Sequence, residues 1–233
     1  MHQAVLIFKR ELKDYFVSPI AYIVIAIFLF AVGVLFFVDF FAYGQADLRR
    51  FFGRLPWMFA LVVPAITMRL FSEELNVGSY EILLTLPVTF RDIIVGKFMA
   101  GVAFVAAILI PTFCYPLCIS FLGDLDWGVV IGSYFGAILL GAAYVAIGLF
   151  TSSLTRNQII ALILSILICM ALFIIGQMLF FIPESLLPVV SYLSSGVHFD
   201  NIAKGIVDTR DLLYFISIIF LGLYATHLAL QEK

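Results

Sequence analysis

Six long apolar stretches, separated by shorter polar segments, dominate the pattern along the chain. They cover about residues 20–41, 57–71, 93–122, 129–150, 159–182 and 212–230. An α-helix needs about 20 apolar residues to cross the hydrocarbon core of a bilayer. The pattern therefore predicts six transmembrane helices. The second is short and is interrupted by Pro64. The third is long enough to be either broken or strongly tilted, and Pro111 and Pro116 lie in its outer half.

The segment before the first apolar stretch has helical periodicity. On a helix over residues 3–17, Val5, Phe8 and Leu12 fall on one side, and Lys9 and Lys13 fall on the other. Such an amphipathic helix is typical of a segment that lies in the membrane interface. The Ser-Pro step that follows ends it, because the residue before a proline avoids the helical conformation.

Composition agrees with a membrane protein of one domain, residues 1–233. Hydrophobic residues make up 64% of the 233-residue chain and charged residues 12%, about half the charged fraction of soluble domains. With the N-terminus inside, the inner segments carry eight of the thirteen Lys and Arg residues, which favours this orientation. We therefore predict an all-α bundle of six membrane helices with both termini cytosolic and residues 183–211 outside.

The longest polar interruption runs from residue 72 to residue 97. Gly78 breaks the chain, Ser79 can cap a helix, and residues 80–86 would then form about two turns that Pro87 ends. A helix of two turns is not stable alone. It must pack on its own bundle or on another protein, so the segment is either an ordinary interfacial loop or a docking element for a cytosolic partner.

A second helix start follows directly. Thr89 and Asp92 have the spacing of a capping box just before an apolar run. The pattern thus predicts that the third span begins with its own N-terminal cap and is not continuous with the short helix before it.

The interruption contains an acidic pair, a Gly-Ser step, a glutamate, leucines, a proline and then a Gly-Lys pair that opens the third span. This pattern resembles the segment between the second and third spans of ABC exporter permeases of the second class. Its residues here are Glu73, Glu74, Gly78, Ser79, Glu81, Leu83, Leu84, Pro87, Gly96 and Lys97.

Two other stretches resemble a narrower branch of that class. "ELKDYFVSPIAYI" and "HFDNIAKGIVDTRDLLYFIS" are similar to stretches of gliding-motility and nitrous-oxide-reductase-maturation permeases. The resemblance implies a permease subunit of an ATP-driven exporter in the bacterial inner membrane. It also implies a dimer with a second permease copy or a paralogue. In this family residues 1–18 would be the elbow helix, and residues 72–90 the segment that couples the permease to a cytosolic ATPase.

The resemblance assigns the coupling role to residues on and around the short helix. They are Glu73, Glu74, Gly78, Ser79, Glu81, Leu83, Leu84, Leu86 and Pro87. The chain has no P-loop motif, so we expect no ATPase site in it, and ATP and Mg²⁺ would bind to the partner subunit. We expect the lipid bilayer as its environment and no nucleic-acid partner, metal site or cofactor.

Other polar residues leave alternatives open. Glu73 and Glu74 are either solvated charges at a span end, or contacts to the ATPase or to the base of the elbow helix. Lys97 is expected to extend to the membrane interface. Gln177, interpreted as lying deep in the fifth span, would line a transport path or form a hydrogen bond between helices.

The outer loop, residues 183–211, is either a pair of small helices that cap the bundle or a docking surface for an extracytoplasmic auxiliary protein. The docking candidates are His198, Asp200, Asp208, Arg210 and Asp211. Two functional alternatives to export follow. The chain could transmit ATPase motion to such a partner without moving a solute, or it could be a membrane scaffold.

Overall fold

The structure is a computed structural model that describes residues 2–43, 48–78, 88–121, 125–178, 183, 187–205 and 208–231. Its fold is all-α, as predicted, and no strand occurs within these ranges. The helices, numbered in chain order over the described residues, are α1 His2–Val17, α2 Pro19–Tyr43, α3 Arg49–Thr67, α4 Arg69–Val77, α5 Phe90–Thr112, α6 Cys114–Ser120, α7 Trp127–Leu154, α8 Gln158–Gln177, α9 Leu187–Leu193, α10 Ser195–Ala203 and α11 Thr209–Gln231.

Among the described residues, six helical segments are long and apolar enough to cross a membrane. This confirms the six spans predicted from the sequence. They are Pro19–Val38, Arg49–Val77, Phe90–Ser120, Trp127–Leu154, Gln158–Gln177 and Thr209–Gln231.

The fourth span, α7, lies at the centre of the bundle. It contacts α3, α4, α5, α8, α10 and α11. Many of its residues are glycine, alanine or serine, and nearly all of its C-terminal half is buried. Helices inside a bilayer gain little from burying apolar surface and pack through close contact of small residues. The composition of α7 therefore explains its central position. By contrast, α2 and α8 expose most of their apolar surface at the periphery.

The second span begins earlier than the sequence indicated. The prediction placed its start near Trp57, with three arginines in a polar loop, but α3 begins at Arg49 and includes all three. The prediction was wrong because arginine stems can lie along an apolar helix while the guanidinium reaches a polar group. Arg54 illustrates this, since its Nη1 donates to the carbonyl oxygen of Leu35 in α2 at 3.4 Å.

Of the two alternatives for the third span, a break or a strong tilt, the structure contains a break. The helix α5 ends at Thr112, directly after Pro111, and α6 continues from Cys114. The predicted capping box at its start is also present, because the Oγ1 of Thr89 accepts a hydrogen bond from the backbone N–H of Asp92 at 3.2 Å. Local sequence signals thus determined both ends of α5.

The outer segment contains two short helices, α9 and α10, before the last span begins. The hydroxyl of Ser133 in α7 donates to the carbonyl oxygen of Ala203 at 3.2 Å, and Tyr144 and Ser195 share a hydrogen bond of 2.9 Å. These two contacts attach α10 to α7. The pair of capping helices is therefore the arrangement that the structure contains.

A break at Met68 divides the second span into α3 and α4. Ser152 of α7 forms hydrogen bonds with the backbone at this break. The Oγ of Ser152 accepts from the backbone N–H groups of Phe71 and Ser72, both at 3.0 Å, and donates to the carbonyl oxygen of Met68 at 2.9 Å. The first backbone N–H groups of a helix lack partners within that helix. Ser152 therefore supplies from another helix the cap that α4 lacks in its own sequence.

We expect Ser152→Ala to destabilise the protein, because it leaves the buried N–H of Phe71 without the acceptor that caps α4. The cost should be about 1–3 kcal/mol for an unsatisfied buried group of this kind. The measurement is the thermal unfolding midpoint in a fixed detergent. The matched control is Ser217→Ala, since that exposed hydroxyl bonds to the Tyr214 carbonyl of its own helix. Equal shifts for both variants would contradict the capping role.

Candidate functional site

A buried lysine joins three helices at the end of the bundle that carries the N-terminus. Lys97, in α5, is 1% exposed. Its Nζ donates to Glu11 Oε1 of α1 and to Glu74 Oε1 of α4, both at 2.8 Å. We call these three residues the lysine triad. Because α1, α4 and α5 each supply one member, the triad fixes their positions relative to one another.

The expectation that Lys97 extends to the membrane interface was wrong. The side chain points instead into the protein, where the helix α1 covers it and the ring centroid of Phe71 lies 5.2 Å from its Nζ. Burying an ammonium group is costly unless it is paired. Ion pairs with the carboxylates of Glu11 and Glu74 offset this desolvation cost, and the ring of Phe71 adds a cation–π contact.

The glycine before the lysine permits the close approach of α1. A Cβ atom at Gly96 would lie 2.9 Å from the backbone carbonyl oxygen of Ala4 and 2.8 Å from the side chain of Ile7. No real Cβ tolerates both contacts without movement of α1. The Gly-Lys pair at the start of α5 is therefore a docking site for the N-terminal helix, in which the glycine provides the space and the lysine provides the charge.

A second polar group binds α4 to the junction between α1 and α2. The Nε of Arg69 donates to Glu73 Oε2 at 2.9 Å, and its Nη1 donates to the Oγ of Ser18 at 3.3 Å. The Glu73 side chain is 44% exposed, whereas that of Glu74 is 15% exposed. The acidic pair is thus divided. Glu73 stays at the surface with Arg69, and Glu74 enters the triad.

Tyr15 completes the packing of α1 on the bundle. Its ring stacks on Phe104 of α5 with centroids 4.9 Å apart, and its hydroxyl donates to the carbonyl oxygen of Ile66 at 3.4 Å. Burial raises the pKa of the Tyr15 phenol well above its usual value. The phenol therefore remains neutral and serves as a donor.

Of the coupling segment, the structure describes residues 72–78 and 88–90, and the first of these parts ends at Gly78. This glycine has a positive φ of 77° and forms the C-cap of α4, which is the break that the sequence predicted. The other residues assigned to coupling lie outside the described residues. They are Ser79, Glu81, Leu83, Leu84, Leu86 and Pro87.

At the opposite end of the bundle, His198 and Asp211 form a buried pair. Their Nδ1 and Oδ1 atoms are 2.6 Å apart, and the two residues are 4% and 2% exposed. The Nε2 of His198 donates to the carbonyl oxygen of Tyr192 at 3.0 Å, and its ring stacks on Tyr214 at 4.1 Å. This pair therefore connects α9, α10 and α11 and is not available as an outer contact surface.

The other docking candidates of the outer segment, Asp200, Asp208 and Arg210, are exposed. Asp208 Oδ1 accepts from the backbone N–H of Arg210 at 3.1 Å, so it also caps the start of α11. Gln177 does not lie deep in the fifth span, because α8 ends there and the residue is exposed. The prediction had extended the helix to residue 182.

Comparison with protein families identifies the class of the chain. A family model described as ABC-2 family transporter protein matches residues 5–229. The chain belongs to this family. No curated protein matches its sequence.

Membership makes the chain a multi-pass membrane protein of the ABC-2 permease class, a membrane subunit without its own catalytic site. The class implies an ABC ATPase subunit as the partner of this ABC-2 permease. The narrower gliding-motility and nitrous-oxide-reductase-maturation branch, which the sequence also resembles, remains a prediction.

We expect Lys97→Met to destabilise the permease by about 3–5 kcal/mol, the usual cost of removing one partner from a buried ion pair. Two carboxylates would then lie close together without a cation. Glu11→Gln and Glu74→Gln should each cost less, because the other carboxylate still neutralises Lys97. Thermal unfolding of the three variants in one detergent tests this order. If Lys97→Met lowers the unfolding midpoint least of the three variants, the triad does not stabilise the docking of α1.

Proposed function

We propose that this ABC-2 permease is the membrane subunit of an ATP-driven exporter, energised by a separate ATPase that acts through residues 72–90. The observation that carries the proposal is the position of Glu74. Glu74 lies in α4, four residues before the C-cap Gly78, and its carboxylate accepts a hydrogen bond from Lys97. A force applied to the chain beyond Gly78 would therefore reach α5 and α1 through a buried ion pair.

A second path leads from the same helix to the centre of the bundle. Ser152 bonds the first turn of α4 to α7, and α7 contacts most of the other spans. Movement of α4 would thus be passed both to the N-terminal helix and to the central helix. This dual connection is what a segment that couples ATP hydrolysis to the membrane part requires.

Interface size constrains how the ATPase would bind. A stable interface buries about 800 Å² per partner, more than a helix of two turns offers. We propose that Leu83, Leu84 and Leu86 are the apolar anchors. The N-terminal helix and the exposed Glu73 would contribute the surrounding polar contacts. ATP and Mg²⁺ would bind to the ATPase and not to this chain.

Transmission to an extracytoplasmic partner is the second candidate function. The exposed Asp200, Asp208 and Arg210 lie on the outer segment. The buried His198–Asp211 pair fixes the helices of that segment relative to one another, so a bound protein would contact a rigid surface. Substrate that stimulates the ATPase activity of the reconstituted complex would support export. Stimulation only by an added outer protein would support transmission, and no stimulation by either would support a scaffold.

We also propose that the permease lies in the bacterial cytoplasmic membrane as a dimer with a second copy or a paralogue, with both termini cytosolic. A cysteine reporter tests the orientation. Within residues 183–211, the reporter must be placed at an exposed position. Thr209 is exposed, whereas Ser195, for example, is fully buried. The native Cys114 and Cys118 are exposed, and the background should carry alanine at both positions.

In that background, Thr209→Cys should react with a membrane-impermeant thiol reagent in intact cells. Arg156→Cys, in the exposed turn between α7 and α8, should react only after lysis, because our topology places that turn in the cytosol. Gel-shift labelling of the two variants gives the readout. The reverse labelling pattern would overturn the orientation.

For coupling, we expect Leu83→Asp and Leu84→Asp to release or uncouple the ATPase. Losing an apolar anchor and burying a carboxylate should weaken the affinity by at least about tenfold. The readouts are copurification of the ATPase and its stimulated activity in matched detergent. Val77→Asp is the control, since Val77 is 74% exposed and is not one of the residues assigned to coupling. If both leucine variants retain the ATPase at wild-type stoichiometry and activity, residues 72–90 do not couple the subunits.

A further inference from the structure

A cleft of about 400 Å³ lies beneath the N-terminal helix, a volume within the range of small-molecule sites. One part of its wall is apolar and comes from the start of α2 and the end of α3, at Ile20, Ala21, Val24, Ala65 and Ile66. The other part is charged and comes from α1, α4 and the lysine triad. The cleft therefore crosses the boundary between the apolar spans and the polar end of the bundle.

The charges of the cleft are mixed. Its lining contains the cations Arg10, Arg69 and Lys97 and the carboxylates Glu11, Asp14, Glu73 and Glu74. If all are ionised, the lining carries one net negative charge. A ligand with only negative charge would therefore be disfavoured, whereas a ligand that carries one group of each sign finds partners for both.

The cleft offers specific partners for a phosphate. The guanidinium of Arg69 has five N–H donors in a planar fork. One is directed to Glu73 and one to the hydroxyl of Ser18, so donors remain for a further acceptor. Arg10 lies on the same wall, and its contact with Asp14 is a long one of 3.9 Å between exposed side chains.

The cleft also offers a partner for an ammonium group. Asp14 lines the cleft, its side chain is 65% exposed, and its contact with Arg10 is long. Its carboxylate oxygens are therefore accessible to a donor in the cleft. A primary ammonium has N–H groups to donate to them, whereas a quaternary ammonium has none.

The apolar part of the cleft continues along an exposed face of the first span. Ile20, Ile23 and Ile27 are 45%, 56% and 61% exposed. Acyl chains that start at the cleft would lie along this face and remain within the hydrocarbon layer.

We propose that the cleft binds the headgroup of a phospholipid that carries a phosphate and a primary ammonium, as phosphatidylethanolamine does. The phosphate would contact Arg69 and Ser18, and the ammonium would contact Asp14. The bound lipid would connect the N-terminal helix to the first two spans. The proposal does not depend on the identity of the exported substrate.

Native mass spectrometry of the full-length chain in mild detergent tests the proposal. After delipidation, the chain is titrated with phosphatidylethanolamine, phosphatidylcholine or phosphatidylglycerol of identical acyl chains. We expect phosphatidylethanolamine to be retained most strongly. Equal retention of the three lipids, or stronger retention of phosphatidylglycerol, would overturn the proposal. Glycerophosphoethanolamine, which lacks acyl chains, should not compete, and full competition by it would assign the cleft to a soluble ligand instead.

Two variants locate the binding. Val24→Phe narrows the cleft without changing any charge, and Val189→Phe makes the same change at an exposed position of α9, outside the cleft and outside the face of the first span. We expect Val24→Phe to weaken retention of phosphatidylethanolamine by about tenfold or more, and Val189→Phe to leave it unchanged. Arg69→Lys, which keeps the charge but loses the fork, should also weaken it by about tenfold, the value of one hydrogen bond to a charged group.

Elution of each variant at the wild-type position on size exclusion establishes that it is folded. Should Val24→Phe fail to fold, Arg69→Lys decides the question alone. Wild-type retention of phosphatidylethanolamine by the folded variants would show that the lipid binds elsewhere.

Discussion

The arrangement of the N-terminal end of the bundle depends on one buried ammonium group. Lys97 is almost inaccessible to solvent, and the carboxylates of Glu11 and Glu74 each lie 2.8 Å from its Nζ. A lone charge in this position would be too costly to bury, so the three residues must come together. The helix α1 therefore has one position on the bundle, and the end of α4 is held beside it.

Two further contacts reinforce this arrangement from different directions. The missing side chain at Gly96 lets the backbone of α1 reach α5, and the hydroxyl of Ser152 ties α4 to α7. The residues that precede the predicted coupling helix are thus connected to the N-terminal helix, the third span and the central span. If residues 72–90 couple the permease to an ATPase, as we propose, these connections would link that segment to the transmembrane core.

The sequence predicted the features that depend on near neighbours. Apolar length indicated the six spans, Pro111 indicated a break or a strong tilt in the third span, and Thr89 with Asp92 indicated where α5 begins. It could not predict the triad, because Glu11 and Glu74 lie 86 and 23 positions from Lys97 and a lysine at a span end usually reaches the interface. The start of α3 was missed for a related reason. In a sequence, a cluster of arginines is typical of a polar loop. That Arg49, Arg50 and Arg54 belong to a helix becomes evident only from the structure, which shows where their aliphatic stems lie.

The separation of the triad members along the chain also affects how the protein is made. Glu11 leaves the ribosome first, Glu74 follows, and the cation that neutralises both arrives last, 86 residues after Glu11. Until the third span has been synthesised, the N-terminal helix has no counter-charge and no Gly96 surface to pack on. The first two spans must therefore enter the membrane before that helix reaches its final position. The N-terminus, although translated first, is among the last parts of this half of the protein to acquire its native contacts.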